Sequence, residues 1–212
     1  MIAIKNARVV LENDIIDSGV ILVDGDRIAA VGAADEISVP EGAEVVDAKG
    51  NYAGPGFVDI HVHGGNGHLL FKEPLEGAEH FLSHGETTVL PTFYYDLSKE
   101  GFLEHIALVK SVIGKGLVGK AIGGFYMEGP YMNPKYGASP EKNKWRGEIK
   151  REDYAEILKA AGDYVKVWAI APERPGIAGF MADAKLANPN VSFAVGHSEA
   201  LPAEVRLLRS TA

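Results

Sequence analysis

The sequence predicts an α/β protein built on a parallel sheet, and three observations carry that prediction. From residue 53 onward, short apolar runs alternate with stretches of helical periodicity. The runs are near-continuously apolar, as strands covered by helices on both faces must be. Residues 1–52 read differently, as β-rich segments separated by turn residues. The expected organisation is therefore a small strand-built segment, 1–52, followed by a β/α region, 53–212.

In the first segment, "IAIKNARVV", "GVILVDGDRIAAVG" and "AEVVDAKG" are the candidate strands. Asp24-Gly25 lies between two apolar runs and signals a hairpin, so a small antiparallel sheet is expected. In the second, the candidate strands are 56–63, 87–92, 121–128, 165–173 and 191–198. The candidate helices are 74–84, 98–113, 151–162, 176–187 and 202–209. Phe102, Ile106, Val109 and Ile113 share one helical face, as do Tyr154, Ile157, Leu158 and Ala161. This makes five β/α units. A closed barrel of eight takes roughly 250 residues. The pattern thus fits either a five-stranded doubly wound sheet or a barrel with five of its units present.

Composition narrows the chemistry. Hydrophobic residues make up 46% and charged residues 24%, the balance of a globular protein with a sizeable core. The net charge of −8, without a basic tail, argues against nucleic acid as a partner. There is no cysteine, so a disulfide framework and a thiolate metal site are both excluded. Any metal must be held by His, Asp or Glu. No run approaches ~18 apolar residues, so no membrane span is expected. "MIAIKNARVV" lacks a secretory pattern, and the cytoplasm is the expected compartment.

The chemistry-bearing stretch is "GPGFVDIHVHGG" at 54–65. Side chains two apart on a strand share a face, so His61 and His63 project together as two ligands of one metal would. The run before them is buried in character, and Asp59 adds a third polar group on the same alternation. Glu128 closes the third apolar run in "YMEGP", and His197 follows the fifth in "VGHSEA". A glutamate or histidine at one strand end is ordinarily a solvated residue. A His pair, a Glu and a His at three strand ends converge on one point if the sheet curls.

"PGFVDIHVHGG" resembles the strand-one signature of the amidohydrolase superfamily. Together with "HGETTVLPT", "EGPYMNP" and "VGHSEA" in this order, it is similar to the N-acetylglucosamine-6-phosphate deacetylase family across essentially all of the chain. The resemblance implies the first five β/α units of a (β/α)8 TIM-like barrel, with 1–52 supplying strands of a small β-sandwich. It implies that His61 and His63 bind one divalent metal, that Glu128 bridges, and that His197 binds a second. One or two ions are thus implied, and zinc or iron(II) suits the donor set. The implied reaction is hydrolysis of N-acetylglucosamine-6-phosphate to glucosamine-6-phosphate and acetate. Asn133 and Lys135, after "EGPYM", are candidate substrate contacts, with a solvated turn beside Pro134 as the alternative. Family dimers make a homodimer an expectation for a full-length protein.

Two departures qualify the resemblance. The family's sixth-strand histidine ligand and eighth-strand catalytic aspartate have no counterpart before Ala212. The expectation is an incomplete barrel, the N-terminal part of a longer protein, with exposed outer strands and little activity alone. Where many family members continue Gly-Ala-His, this chain reads Gly137-Ala138-Ser139. The alternatives are an amidohydrolase acting on another N-acyl or cyclic amide, and a non-catalytic remnant or assembly partner. Many cyclic amidases use a carboxylated lysine where this chain offers Glu128.

Other features read as structural. "GKGLVG" at 114–119 follows a helix and precedes a strand, the wrong order for a dinucleotide loop, and is expected to be a helix stop and loop. His80, His84 and His105 fall on candidate helices, and His68 in the loop after the first strand. Trp145 and Trp168 are expected to pack, and Glu173 stands at the active-site edge without an assigned role.

Overall fold

The computed structural model describes residues 1–208, and the last residue of the candidate helix 202–209 lies outside them. The chain divides into two compact units, Met1–Gly56 and Phe57–Ala212. The boundary falls a few residues beyond the composition change at 52/53.

The first unit holds β1 (Ile2–Val10), β2 (Ile15–Asp24), β3 (Arg27–Ala33), β4 (Glu44–Asp47) and β5 (Tyr52–Ala53). The Asp24-Gly25 hairpin forms as expected, with Asp24 opposite Arg27 and Gly25 at φ +60°. The sheet is mixed rather than antiparallel. Its order is β3-β2-β1-β4, and both β4 and β5 run parallel to β1. The connection from β3 to β4 is long enough to bring the chain back alongside β1, which a two-residue turn could not do. Ala3, Val20 and Leu22 pack on one side, and Ala7, Val9 and Ile21 form a second small cluster.

The second unit begins with β6 (Phe57–Val62) and a two-rung ribbon of β7 (Gly64–Gly65) and β8 (His68–Leu69). There follow α1 (Pro74–Leu82), β9 (Glu86–Tyr94), α2 (Lys99–Val112), α3 (Gly116–Lys120) and β10 (Phe125–Glu128). The unit continues with α4 (Arg151–Ala161), β11 (Val165–Ile170), α5 (Ile177–Ala187), β12 (Ser192–Val195) and α6 (Pro202–Leu208). The five long strands lie in the order β12-β11-β10-β9-β6, and every ladder among them is parallel. The carboxyl ends of all five therefore open on one edge.

Local sequence explains the helices. Ser98 caps α2 by accepting from the Gly101 N–H at 3.2 Å, and Phe102, Ile106 and Val109 are buried at the predicted spacing. Tyr154, Ile157, Leu158 and Ala161 bury one face of α4, and Ile177, Phe180, Met181 and Ala184 one face of α5. These side chains meet Phe93, Phe125, Met127, Val165 and Trp168 from the sheet in one core. Each such burial contributes about 1.5–3 kcal/mol. Trp168 meets Phe180 edge-on at 5.2 Å, and Trp145 donates its indole N–H to the Leu97 carbonyl at 2.8 Å.

Three expectations need correction. "GKGLVG" is not a plain loop: Gly114 and Gly116 turn the chain at positive φ, and α3 follows. Gly119 in that helix lies so close to the Val112 carbonyl that no Cβ would fit. His84 lies beyond α1, which ends at Leu82 before Gly85 turns at φ +91°. Third, "GFVDI" is not buried: Phe57, Val58 and Ile60 are all more than half exposed. The reason is position, since β6 pairs only with β9 among the described residues. This matches the expectation of exposed outer strands.

Candidate metal centre

Glu128 ends the middle strand, β10, with β9 and β11 on either side. His61 belongs to β6 and His63 follows it, while His197 follows β12, so each histidine is two strands away from the glutamate. Neighbouring strands stand roughly 4.8 Å apart, so a flat sheet would keep these side chains about 10 Å from Glu128. Instead His63 Nε2 lies 3.1 Å from Glu128 Oε2, and His197 Nε2 lies 2.6 Å from Oε1. His61 Nε2 lies 3.8 Å from the same Oε1. The sheet is curled, and its concave side brings the three imidazoles around one carboxylate.

The glutamate is almost wholly buried (3% exposed), whereas the three imidazoles keep about a third of their surface. Burial alone would raise the Glu128 carboxyl. Contacts with His61, His63 and His197 outweigh it and hold the group down to about 2. Glu128 is thus an anion across the neutral range.

Two aromatic rings set the imidazoles. Tyr126 stacks on His61 with ring centres 4.2 Å apart, and Tyr94 meets His63 edge-on at 4.9 Å. Asp59 accepts from the His61 backbone N–H at 2.9 Å, fixing the strand rather than entering the cluster. Tyr94 hydrogen-bonds Tyr95 at 3.0 Å, and the Tyr95 hydroxyl accepts from the Ser139 N–H at 2.8 Å. The Ser139 backbone is thereby tied to the tyrosine pair. A cavity of about 480 Å³ adjoins His63, lined by Leu69, Phe71, Tyr94 and Leu97, with Lys72, Asp96 and Lys144.

The donor set fits a divalent cation. One ligand atom each from His61, His63 and Glu128 lies within 4.8 Å of the others, and the group is all nitrogen and oxygen. Glu128 Oε2 is buried and, although His63 is close, has no aligned hydrogen bond. An acceptor left over in this way, beside the His63 imidazole, is chemically suited to a cation. His197 stands on the other oxygen of the same carboxylate, which gives Glu128 the form of a bridge.

The remaining candidates lie elsewhere. Asn133 is buried, donating to Glu173 at 2.8 Å and accepting from the Lys135 N–H at 3.0 Å. Lys135 is exposed and pairs with Glu199 at 2.5 Å. His68 pairs with Glu73 at 3.2 Å, His84 bonds the His80 carbonyl at 2.8 Å, and His105 lies against Phe71. None of these four histidines joins the cluster. Tyr94 and Tyr126 were missed by sequence reasoning. Their signal was register: Tyr94 ends β9, between the strands of His61 and Glu128, and Tyr126 stands two residues before Glu128 on β10.

No family model matches the chain. Among curated proteins, dihydroorotases of Staphylococcus aureus are 40% identical over 89 residues, which is 42% of this chain and 20% of theirs. Those of Staphylococcus epidermidis are 42% identical over the same length. Among solved structures, the N-acetyl-D-glucosamine-6-phosphate deacetylase of Mycobacterium smegmatis matches with a TM-score of 0.80 and 26% identity. That match covers all of this chain and 58% of the other. The Pasteurella multocida deacetylase matches in fold, with a TM-score of 0.82, over 54% of its length. The chain thus spans little more than half of these solved deacetylases.

A curled parallel sheet with histidines and a glutamate gathered at its carboxyl edge defines a member of the amidohydrolase superfamily. Within it, the whole of this chain is similar to solved N-acetyl-D-glucosamine-6-phosphate deacetylases.

Proposed function

We propose that this chain supplies the metal-binding part of a deacetylase acting on N-acetylglucosamine-6-phosphate, releasing glucosamine-6-phosphate and acetate. The observation that carries the reading is the Glu128 carboxylate held between His63 and His197, which follow the two opposite outer strands of the sheet. His61, His63, Glu128 and His197 would hold one or two divalent ions, zinc or iron(II) by donor type. A bound divalent ion supplies polarisation of the acyl carbonyl and water acidic enough to ionise near neutral pH. Glu128 stays ionised, with Oε2 nearest His63 and Oε1 nearest His197 and His61. Tyr126 and Tyr94 keep the His61 and His63 rings from turning away. The cavity beside His63 gives a substrate a place next to the cluster, and the exposed Lys135 is proposed to meet a polar substituent. Asn133 would act from beneath, through Glu173 and the Lys135 backbone.

Further proposals are a β-sandwich role for β1–β5, a homodimer, and a cytoplasmic setting. Among the described residues no helix is long and apolar enough to cross a membrane.

The dihydroorotase match supports a second reading, hydrolysis of a cyclic amide. Assaying the full-length protein with N-acetylglucosamine-6-phosphate and with dihydroorotate decides between them. Acetate release from the sugar phosphate alone is expected, and turnover of dihydroorotate alone would overturn the first reading.

A further inference from the structure

Glu173 lies just past β11 on the same edge as the cluster, yet it touches none of the four candidate ligands' side chains. Its carboxylate is spent on the loop that carries one of them. Oε1 accepts from Asn133 Nδ2 at 2.8 Å and from the Glu199 backbone N–H at 2.8 Å. Oε2 accepts from the Ser198 hydroxyl at 2.7 Å, and that hydroxyl oxygen accepts from the Ala200 N–H at 3.0 Å. Asn133 completes a ring of contacts, donating its backbone N–H to the His197 carbonyl at 3.0 Å.

What these bonds enclose is an unusual backbone. His197 sits at φ +50°, a left-handed conformation that a non-glycine residue occupies only when its surroundings hold it there. The bonds to the His197 carbonyl, Ser198 and Glu199 fix the chain from that residue onward. The imidazole Nε2 is thereby kept 2.6 Å from Glu128 Oε1. A relaxed loop would let the residue return to negative φ and swing the ring off the carboxylate.

We propose that Glu173 is a positioning residue for the metal centre, holding His197 in its left-handed conformation and so setting cation affinity on the His197 side of Glu128. This rests on the reading of His197 as a ligand, and the test separates the two. Cobalt(II) is titrated into the purified full-length protein, following its visible absorption and the calorimetric stoichiometry. The variants are His197→Ala, Glu173→Ala and Glu173→Gln. His197→Ala is expected to weaken cobalt binding, and Glu173→Ala to weaken it about 10- to 100-fold, the effect typical of groups that orient a ligand. Glu173→Gln should recover most of the affinity, because the amide oxygen can take both N–H donors while its NH2 faces the Ser198 hydroxyl. Wild-type affinity in His197→Ala would sink the ligand reading itself. Weakened binding in His197→Ala with wild-type binding in Glu173→Ala would overturn the positioning role alone. Should Glu173→Ala fail to fold, Ser198→Ala removes one of the three bonds and decides: reduced affinity supports the proposal, and unchanged affinity rejects it.

Discussion

Glu128 concentrates the chemistry of this molecule in one side chain. It is anionic because three imidazoles outweigh its burial, and it is the one group in contact with all of them. Replacing it by glutamine keeps shape and removes charge. Glu128→Gln is expected to lower divalent-ion affinity by about a hundredfold or more, measured by calorimetric titration, since loss of an ion's direct ligand should exceed the 10- to 100-fold effect of orienting groups. That His61, His63, Glu128 and His197 gather at one place was legible in the sequence because strand alternation and strand ends constrain them without any knowledge of packing. Tyr94 and Tyr126 were not, because an aromatic in an apolar run looks like core until the register shows which imidazole it faces. The spent state of Asn133 was hidden for a similar reason: its partner Glu173 is distant in sequence and was itself unassigned.

At the scale of elements, helix faces read well and connections read poorly. The apolar spacing of α4 survives intact, and that of α2 holds as far as Val109, since Ile113 lies just past the helix end at Val112. The connection through α3 was misjudged because a glycine-rich stretch signals a turn and conceals a close approach such as that of Gly119. Two elements give predictions. Asp183 of α5 accepts from Tyr154 at 2.7 Å and from Arg151 at 2.9 Å on α4. The Tyr154 bond, followed by Arg151 and opposed by burial, holds its carboxyl below the ordinary value. A lowered carboxyl stabilises the fold above its unfolded pKa and loses that contribution as pH falls through the folded value. Urea unfolding should therefore show wild type more stable than Asp183→Asn by about 1 kcal/mol at pH 7, a gap that closes below about pH 4. Gly129, just after β10, has φ +141°, and a Cβ there would stand 3.1 Å from Tyr95 Cα. Gly129→Ala is expected to cost about 1–3 kcal/mol in the same measurement, through strain beside the metal centre.

For the whole molecule, the alternation of apolar runs with helical stretches foretold a parallel α/β sheet. The apolar first strand stands at an edge of it, as expected of an incomplete barrel. Phe57, Val58 and Ile60 expose their side chains there, and Val195 does so on the opposite outer strand. Exposed apolar edges invite pairing. The 212-residue chain is expected to self-associate with rising concentration, and Phe57→Lys to shift it toward monomer, as read by sedimentation velocity. Association unaffected by the lysine would place the contact elsewhere.

The glutamate's position in the middle strand has a consequence in time. Glu128 meets His197 across 69 residues of sequence, and its other two imidazoles lie comparably far upstream. Chains are made from the amino terminus and fold as they emerge, and contacts distant in sequence form late. The first three strands can assemble a carboxylate and two histidines while the rest is still being synthesised. The bridge is finished only when the fifth strand has docked and its loop has locked. A nascent chain would therefore capture a cation weakly at first and tightly only once the fifth strand has docked, so that ion retention reports on whether that strand has found its place.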